Sequence, residues 1–257
     1  MNKYDISNYV VQSNELITSE WKMDRITLKL FEMAVSAIDT SKEKVSNVVL
    51  LSKYDVYTMF NADDSNKYYR FNKHVQKLLK QVVRVSLKND RIGAIVPITY
   101  IEWGSDDDDQ RVEIRFNDLI MPYVVQLKEK FTQYKVSNLI NLSSKYAIII
   151  YKLAKLEQWK GQKIIYTVKE LRKITDTTNL YERFANFEAR VLEKAVKEIN
   201  NGHTDIVMKY EKIKNGTKIT AIAFYVRESQ SYSDNDYDQP KTIDDYNISY
   251  DDLGWGL

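Results

Sequence analysis

The 257-residue sequence contains no cysteine, three prolines, seven glycines and two histidines. Without cysteine there can be no disulfide and no thiolate metal site. The scarcity of turn residues points to a helix-rich chain. His74 and His203 stand too far apart to form a His-x-His metal pair, and each is expected at the surface. No G-x-x-x-x-G-K-[ST] loop is present; Gly161-Gln-Lys163 and Gly216-Thr-Lys218 are isolated fragments that fit turns. The longest strongly apolar stretch, around Ala147–Ile150, is far too short to span a bilayer. The first twenty residues include Lys3, Asp5 and Glu15 and no apolar segment, so no signal peptide is expected there. These absences point to a cytoplasmic protein without catalytic machinery, and no cofactor or metal is expected.

What is present is charge, unevenly placed. The formal net charge is +2, but residues 228–257 carry −7, with eight acids against the single base Lys241. The body, 1–227, therefore carries +9. A basic body with an acidic tail points to an anionic partner for the body. Asp106–Asp109, four consecutive acids, read as a solvated loop turned away from any such partner.

One order of elements occurs twice. The first copy opens with an amphipathic helix at Asp24–Asp39, with Ile26, Leu30, Phe31, Ala34 and Ile38 on one face. A β-branched strand, Val45–Leu51, follows. Ser52-Lys-Tyr-Asp55 resembles a capping box and starts a short helix, and a longer helix spans Tyr68–Val83. Strands are expected at Arg84–Lys88, Ile92–Glu102 and Arg111–Phe116. The second copy has a helix at Ser143–Trp159 and a strand at Lys163–Tyr166. The capping box Thr167-Val-Lys-Glu170 follows, then a long helix at Tyr181–Asn200. A hairpin, Asp205–Tyr210 with Lys218–Val226, turns at Asn215-Gly216.

Helix, strand, helix, helix, hairpin is the winged-helix plan, whose third helix enters the DNA major groove. The expected fold class is α+β, with two tandem winged-helix domains. Residues 1–130 form the first with a connector, 131–227 the second, and 228–257 a disordered tail. Residues 118–135 serve as the connector, with Pro122 in the first turn of a short helix.

Each third helix has an apolar face and a basic one. In the first, Phe71, Val75, Leu78, Leu79 and Val82 face the core, and Arg70, Lys73, Lys77, Lys80 and Arg84 lie opposite. In the second, Phe187, Val191, Leu192, Ala195 and Ile199 face inward; Arg183, Asn186, Arg190, Lys194 and Lys197 lie opposite, with Glu193 among them. Arg pairs bidentately with guanine and Asn with adenine, so Arg183, Asn186 and Arg190 are the candidates for base edges. The lysines are candidates for phosphates. The wings add Lys88 and Arg91 in the first copy, and Lys209, Lys212, Lys214 and Lys218 in the second. Ser143, Ser144 and Lys145 start a helix, where they either hold a phosphate on the terminal amides or form a simple N-cap.

Asn8-Tyr-Val-Val-Gln-Ser-Asn-Glu-Leu-Ile17, Phe131–Ile140 with Leu142–Tyr151, and Phe187–Asn200 with Thr204-Asp-Ile206 together resemble the iteron-binding plasmid replication initiators. The resemblance spans about residues 7–227, and its second half is the more specific. It implies two winged-helix domains that bind direct repeats of double-stranded DNA at a plasmid origin. It also implies a homodimer, joined through the first domain, in equilibrium with the initiating monomer and repressing its own promoter. Host initiator and replicative helicase are the implied partners. The resemblance places the family's reading helix on Arg183–Lys197, and this chain departs from many relatives in having Glu188 where they have a base. A two-domain repressor on the same scaffold remains an alternative, as does a structural or partition protein without sequence preference. A rolling-circle nickase does not fit, because it needs paired histidines beside its tyrosine.

Overall fold

The computed structural model describes residues 2–3, 5–40, 44–59, 66–86, 89, 91–104, 110–125, 127, 130–158 and 163–229. The acid run Asp106–Asp109, Gly161 and the tail beyond Ser229 lie outside the described residues. The chain divides into two compact units, Met1–Ile140 with Arg172–Asp176, and Asn141–Leu171 with Thr177–Leu257.

The first unit is built around α2 (Arg25–Ser36), which is buried from Thr27 to Ser36. A helix covered on every side needs each polar group on it satisfied. Glu32 is fully buried, and it accepts hydrogen bonds from Gln12 Nε2 at 2.9 Å and Tyr134 Oη at 3.1 Å. Lys29 donates to the Ile140 carbonyl. The bonds to Glu32 tie the ribbon β2 (Tyr9–Ser13) and β8 (Phe131–Lys135), paired antiparallel, to the central helix. That pairing also moves a boundary. Residues 131–140, expected to open the second domain, belong with the first unit because β8 finds its hydrogen-bond partner in β2, and α5 (Ser137–Ile140) comes directly after it. The short α1 (Asn14–Ile17) starts at the Ser13 cap. A 3-10 turn at Met121–Tyr123 contains Pro122, as expected for the connector.

The sheet of the first unit runs β1 (Asn2–Lys3), β3 (Val48–Ser52), β7 (Arg111–Phe116), β6 (Ile98–Trp103). The Ser52 hydroxyl caps α3 (Lys53–Tyr57) by accepting from the Asp55 amide at 3.1 Å. The third helix, α4 (Lys67–Leu79), stops earlier than periodicity suggests. Its end tightens, with the Lys80 amide on the Lys77 carbonyl at 3.3 Å and the Gln81 amide on Leu78 at 3.1 Å. The chain then enters β4 (Val83–Ser86), paired with β5 (Ile92–Ile95). Arg84 is therefore a strand residue, and Val82, expected in the core, is 47% exposed. The single strand expected at Ile92–Glu102 is broken at Pro97, which has no amide to give to a ladder.

His74, expected at the surface, is instead largely covered, its side chain 13% exposed. Its Nδ1 lies 3.3 Å from Asp24 and 3.1 Å from Thr27 Oγ1. Asp24 is the N-cap of α2, accepting from the Thr27 amide at 3.0 Å, and it also receives Lys77. One carboxylate thus fastens the start of α2 to α4. Phe71 completes that packing, edge-on to Trp103 at 5.3 Å and to Tyr57 at 6.1 Å.

The second unit has the simpler plan. α6 (Lys145–Gln158) is buried through Ala147–Ala154. β9 (Ile164–Thr167) leads into α7 (Val168–Ile174) through a complete capping box. The Glu170 amide donates to Thr167 Oγ1 at 3.1 Å, and the Thr167 amide donates to the Glu170 carboxylate at 2.8 Å. The long third helix runs as α8 (Phe184–Phe187), a π turn (Glu188–Glu193) and α9 (Lys194–Ile199). It starts three residues later than expected, since Tyr181 takes a left-handed backbone at φ +55°. The wing, β10 (Ile206–Asn215) and β11 (Lys218–Glu228), is longer than expected, and with β9 it gives the sheet order β10-β11-β9. Gly216, at φ +61°, starts its two-residue connection. Just past β11, the Ser229 amide donates to the Asp205 carbonyl at 3.0 Å. Among the described residues, no helix is long and apolar enough to cross a membrane.

The Asp24 cluster carries a pH signature. Burial by itself would raise the Asp24 carboxyl, but hydrogen bonds from His74 and Lys77 and from the Thr27 amide outweigh it and hold the group well below the usual carboxylate range. A depressed folded value means stability that is complete above the unfolded value near 4 and fades as pH falls below it. Asp24→Ala should cost about 1 kcal/mol at pH 7, a figure set by the lost cap and kept small because the carboxylate is partly solvated. Urea unfolding of both proteins at pH 7 and at pH 3 should show the gap narrowing at the lower pH; a gap independent of pH would refute the assignment.

Candidate nucleic-acid interface

The third helix of the second unit presents one continuous polar face. Phe187, Val191, Leu192, Ala195, Val196 and Ile199 are all buried at 0–1%. Arg183, Asn186, Arg190, Lys194 and Lys197 are all exposed, with Ala185, Ala189 and Glu193 beside them. Among the described residues, none of the five polar side chains has an ion-pair or hydrogen-bond partner. The wider π turn keeps the buried positions in four-residue steps, 187, 191, 195 and 199, where a plain α-helix would drift around its axis. Arg190 therefore stays on the same side as Asn186. Two side chains that can each make a bidentate bond to a base, one turn apart on a solvated helix face, are what direct readout requires.

The helix is held from behind and from the wing. Asn200, at its C-cap, donates to the Met208 carbonyl at 2.8 Å and accepts from the Met208 amide at 2.8 Å. Thr204 Oγ1 bridges the Ile199 and Ile206 carbonyls at 3.0 and 2.9 Å. Asp205 binds Tyr151 Oη at 2.7 Å and Lys155 Nζ at 3.0 Å, joining the corner to α6. In the sequence, Thr204-Asp-Ile206 stands out only through a family resemblance; in the fold these residues set the angle between helix and wing.

Glu188 does not face the polar surface. It accepts from Tyr210 Oη at 3.0 Å and pairs with Lys212 Nζ at 3.0 Å, its own side chain 14% exposed. Lys212, expected to hold a phosphate, is thus already neutralised within the chain. Lys209 lies over the Tyr225 ring at 5.3 Å. Lys214 and Lys218 stand exposed near the wing tip. At the start of α6 the Ser143 amide donates to the Glu198 carboxylate, and Ser144 Oγ accepts from the Tyr146 amide at 3.2 Å. Lys145 covers the Tyr146 ring at 5.3 Å. Here an internal carboxylate takes the Ser143 amide that a phosphate would use, so the N-cap alternative describes this terminus.

In the first unit the expected residues divide. Arg70 and Lys73 line an open cavity of about 510 Å³ with Arg25, Ile26, Met59, Asn66, Tyr69 and His74, and none of these residues is acidic. Lys80 is exposed at the C-cap of α4, and Arg91 is exposed beside β5. Lys77 is bound to Asp24, and Arg84 lies 3.8 Å from Glu20. Lys88 lies outside the described residues. Among the described residues there is no group of His, Asp or Glu that could hold a metal ion.

The chain is similar to known proteins over most of its length. A "Replication initiation protein" of Escherichia coli is 25% identical over 228 residues, covering 84% of this chain and 69% of that protein. The solved structure of the Pi initiator protein in complex with iteron DNA shares the fold, with a TM-score of 0.72 at 20% identity, over 88% of this chain and 99% of that one. The family model for the first winged-helix domain of the initiator replication proteins matches residues 9–155, and that for the second matches residues 167–226. With both domains matched in order, and the winged-helix plan seen in the second unit strand for strand, the chain belongs to the initiator replication protein family.

Proposed function

We propose that this protein initiates plasmid replication by binding direct repeats of double-stranded DNA at the origin, with the third helix of the second unit in the major groove. The observation that carries the reading is the unpartnered polar face of that helix. Arg183, Asn186 and Arg190 read base edges; Lys194, Lys197, Lys214 and Lys218 hold phosphates. Iteron DNA in the Pi initiator structure supports the same partner for this chain. In the first unit Arg70, Lys73, Lys80 and Arg91 add contacts to the backbone. Family membership supports the further steps: a homodimer joined through the first domain represses the protein's own promoter, and the monomer at the origin recruits host initiator and replicative helicase.

A duplex carrying repeats from beside the gene, compared with scrambled DNA at near-physiological salt, tests the reading. A preference of roughly a thousandfold is expected; equal affinity would leave a basic DNA coater. Loss of the protein should stop plasmid copying, whereas loss of a mere repressor would only raise transcription.

Two variants test the roles. Arg190→Ala should weaken specific binding by about 1–3 kcal/mol and leave binding to scrambled DNA nearly unchanged. The same loss on both DNAs would remove Arg190 from base reading. Glu188→Gln should release Lys212 while keeping an acceptor for Tyr210, so the slope of log K against log salt should steepen by about 0.9. An unchanged slope would mean that Lys212 does not reach the backbone.

A further inference from the structure

The residue two positions before the cap of the reading helix is under backbone strain. Tyr181 has φ +55°, in the left-handed region that bulky side chains rarely adopt. Asp176, in the same connection, has φ +54°, but aspartate tolerates that region through its short polar side chain. Tyrosine has no such compensation, and glycine or asparagine would relieve the strain at no cost to the turn. What tyrosine adds is its ring. The ring stands edge-on to Tyr146 at 6.5 Å with the planes at 74°, and the two hydroxyls are 3.5 Å apart. Tyr146 is itself covered by Lys145 and belongs to the first turn of α6, whose next residues Ala147–Ile150 are buried in the core.

The first turn of the reading helix is anchored inward by Phe187, which is fully buried. Arg183 is its N-cap residue, yet its side chain makes no capping bond. The first-turn amides of Asn186 and Phe187 both bond the Arg183 carbonyl, at 3.1 and 3.2 Å, so the direction of that carbonyl sets the direction of the turn. The far end is secured by Asn200 and by Glu198, which accepts from the Ser143 amide at the start of α6. The beginning of α6 thus grips the reading helix region at both ends, through Tyr146 on Tyr181 and through Ser143 on Glu198.

We infer that Tyr181 is a specificity-determining positioning residue: its ring, docked on Tyr146, sets the direction of the first turn and so aims Arg183 and Asn186. Tyr181 acts through those two side chains. The strained backbone is kept because an ordered first turn, present before DNA arrives, does not have to be ordered on binding. The inference rests on the proposed base-reading role of that turn, and its test includes one readout without DNA.

The variants are Tyr181→Asn, which accepts the left-handed backbone and removes the ring, and Tyr181→Phe, which keeps the ring. In the full-length protein alone, hydrogen exchange at the Asn186 and Phe187 amides should rise about tenfold in the Asn variant, with Lys197–Ile199 unchanged and the Phe variant like wild type. On DNA, the Asn variant should lose about tenfold in preference for repeats over scrambled duplex while its affinity for scrambled duplex holds, and Phe should restore the preference. Unchanged exchange in the Asn variant would overturn the inference, as would a preference equal to wild type in a protein that discriminates. Faster exchange at Asn186 and Phe187 in a protein whose wild type shows no preference would uphold the docking of the turn and refute base reading instead.

Discussion

Everything the second unit presents to a partner depends on one corner, the pair of hydrogen bonds between the Asn200 carboxamide and the Met208 backbone. A carboxamide that gives and takes at the same residue behaves as an additional strand partner, so β10 leaves the end of the helix in a single register. The single Thr204 hydroxyl proton is shared between the carbonyls of Ile199 and Ile206 on either side of the bend, and Asp205 carries the attachment to α6. All the atoms of these bonds are buried or half-buried, where an unmade bond would cost more than a made one gains. With the corner fixed, Tyr210 and Lys212 arrive opposite Glu188, and the middle of the third helix is secured to the wing. The exposed face then carries four cations and one carboxamide, with Glu193 beside them, on a helix whose position is settled from the protein side.

The first unit reaches the same plan with different fastenings. Its central helix is covered on all sides, so its polar groups become structural. Glu32 draws in Gln12 and Tyr134, and Asp24 draws in His74 and Lys77. That arrangement consumes a lysine of the basic face in holding α4, leaving Arg70 and Lys73 at the cavity beside Tyr69. The two units therefore differ in how much of their basic surface is uncommitted. The second has five unpartnered polar residues along one helix, while the first divides its cations between packing and display.

Much of this is legible in local sequence. The capping box at Thr167 and Glu170 forms as its spacing demands, because both partners lie within one turn. Periodicity alone points Phe187, Val191, Leu192, Ala195 and Ile199 inward, and all are buried. Where sequence and structure part, the causes are specific. Val82 and Val83 read as the end of a helix because the apolar period continues past α4 to the start of a strand, where Val83 pairs with Ile95. Pro97 splits a run whose β-branched residues suggest one continuous strand. Residues 131–140 read as the entry to the second domain, since nothing local reveals that β8 pairs with a strand near the start of the chain.

The sequence by itself determined which helices carry a basic face, where the capping boxes and hairpin fall, and that the winged-helix order occurs twice, since each depends on residues within a turn or a strand of one another. Only the tertiary structure decided which basic residues are held in ion pairs within the chain. Lys77 and Lys212 look no different from Lys73 and Lys194 in the sequence. They differ because folding brings Asp24 and Glu188 against them, and an ion pair between residues distant along the chain exists only after the segments between them have packed.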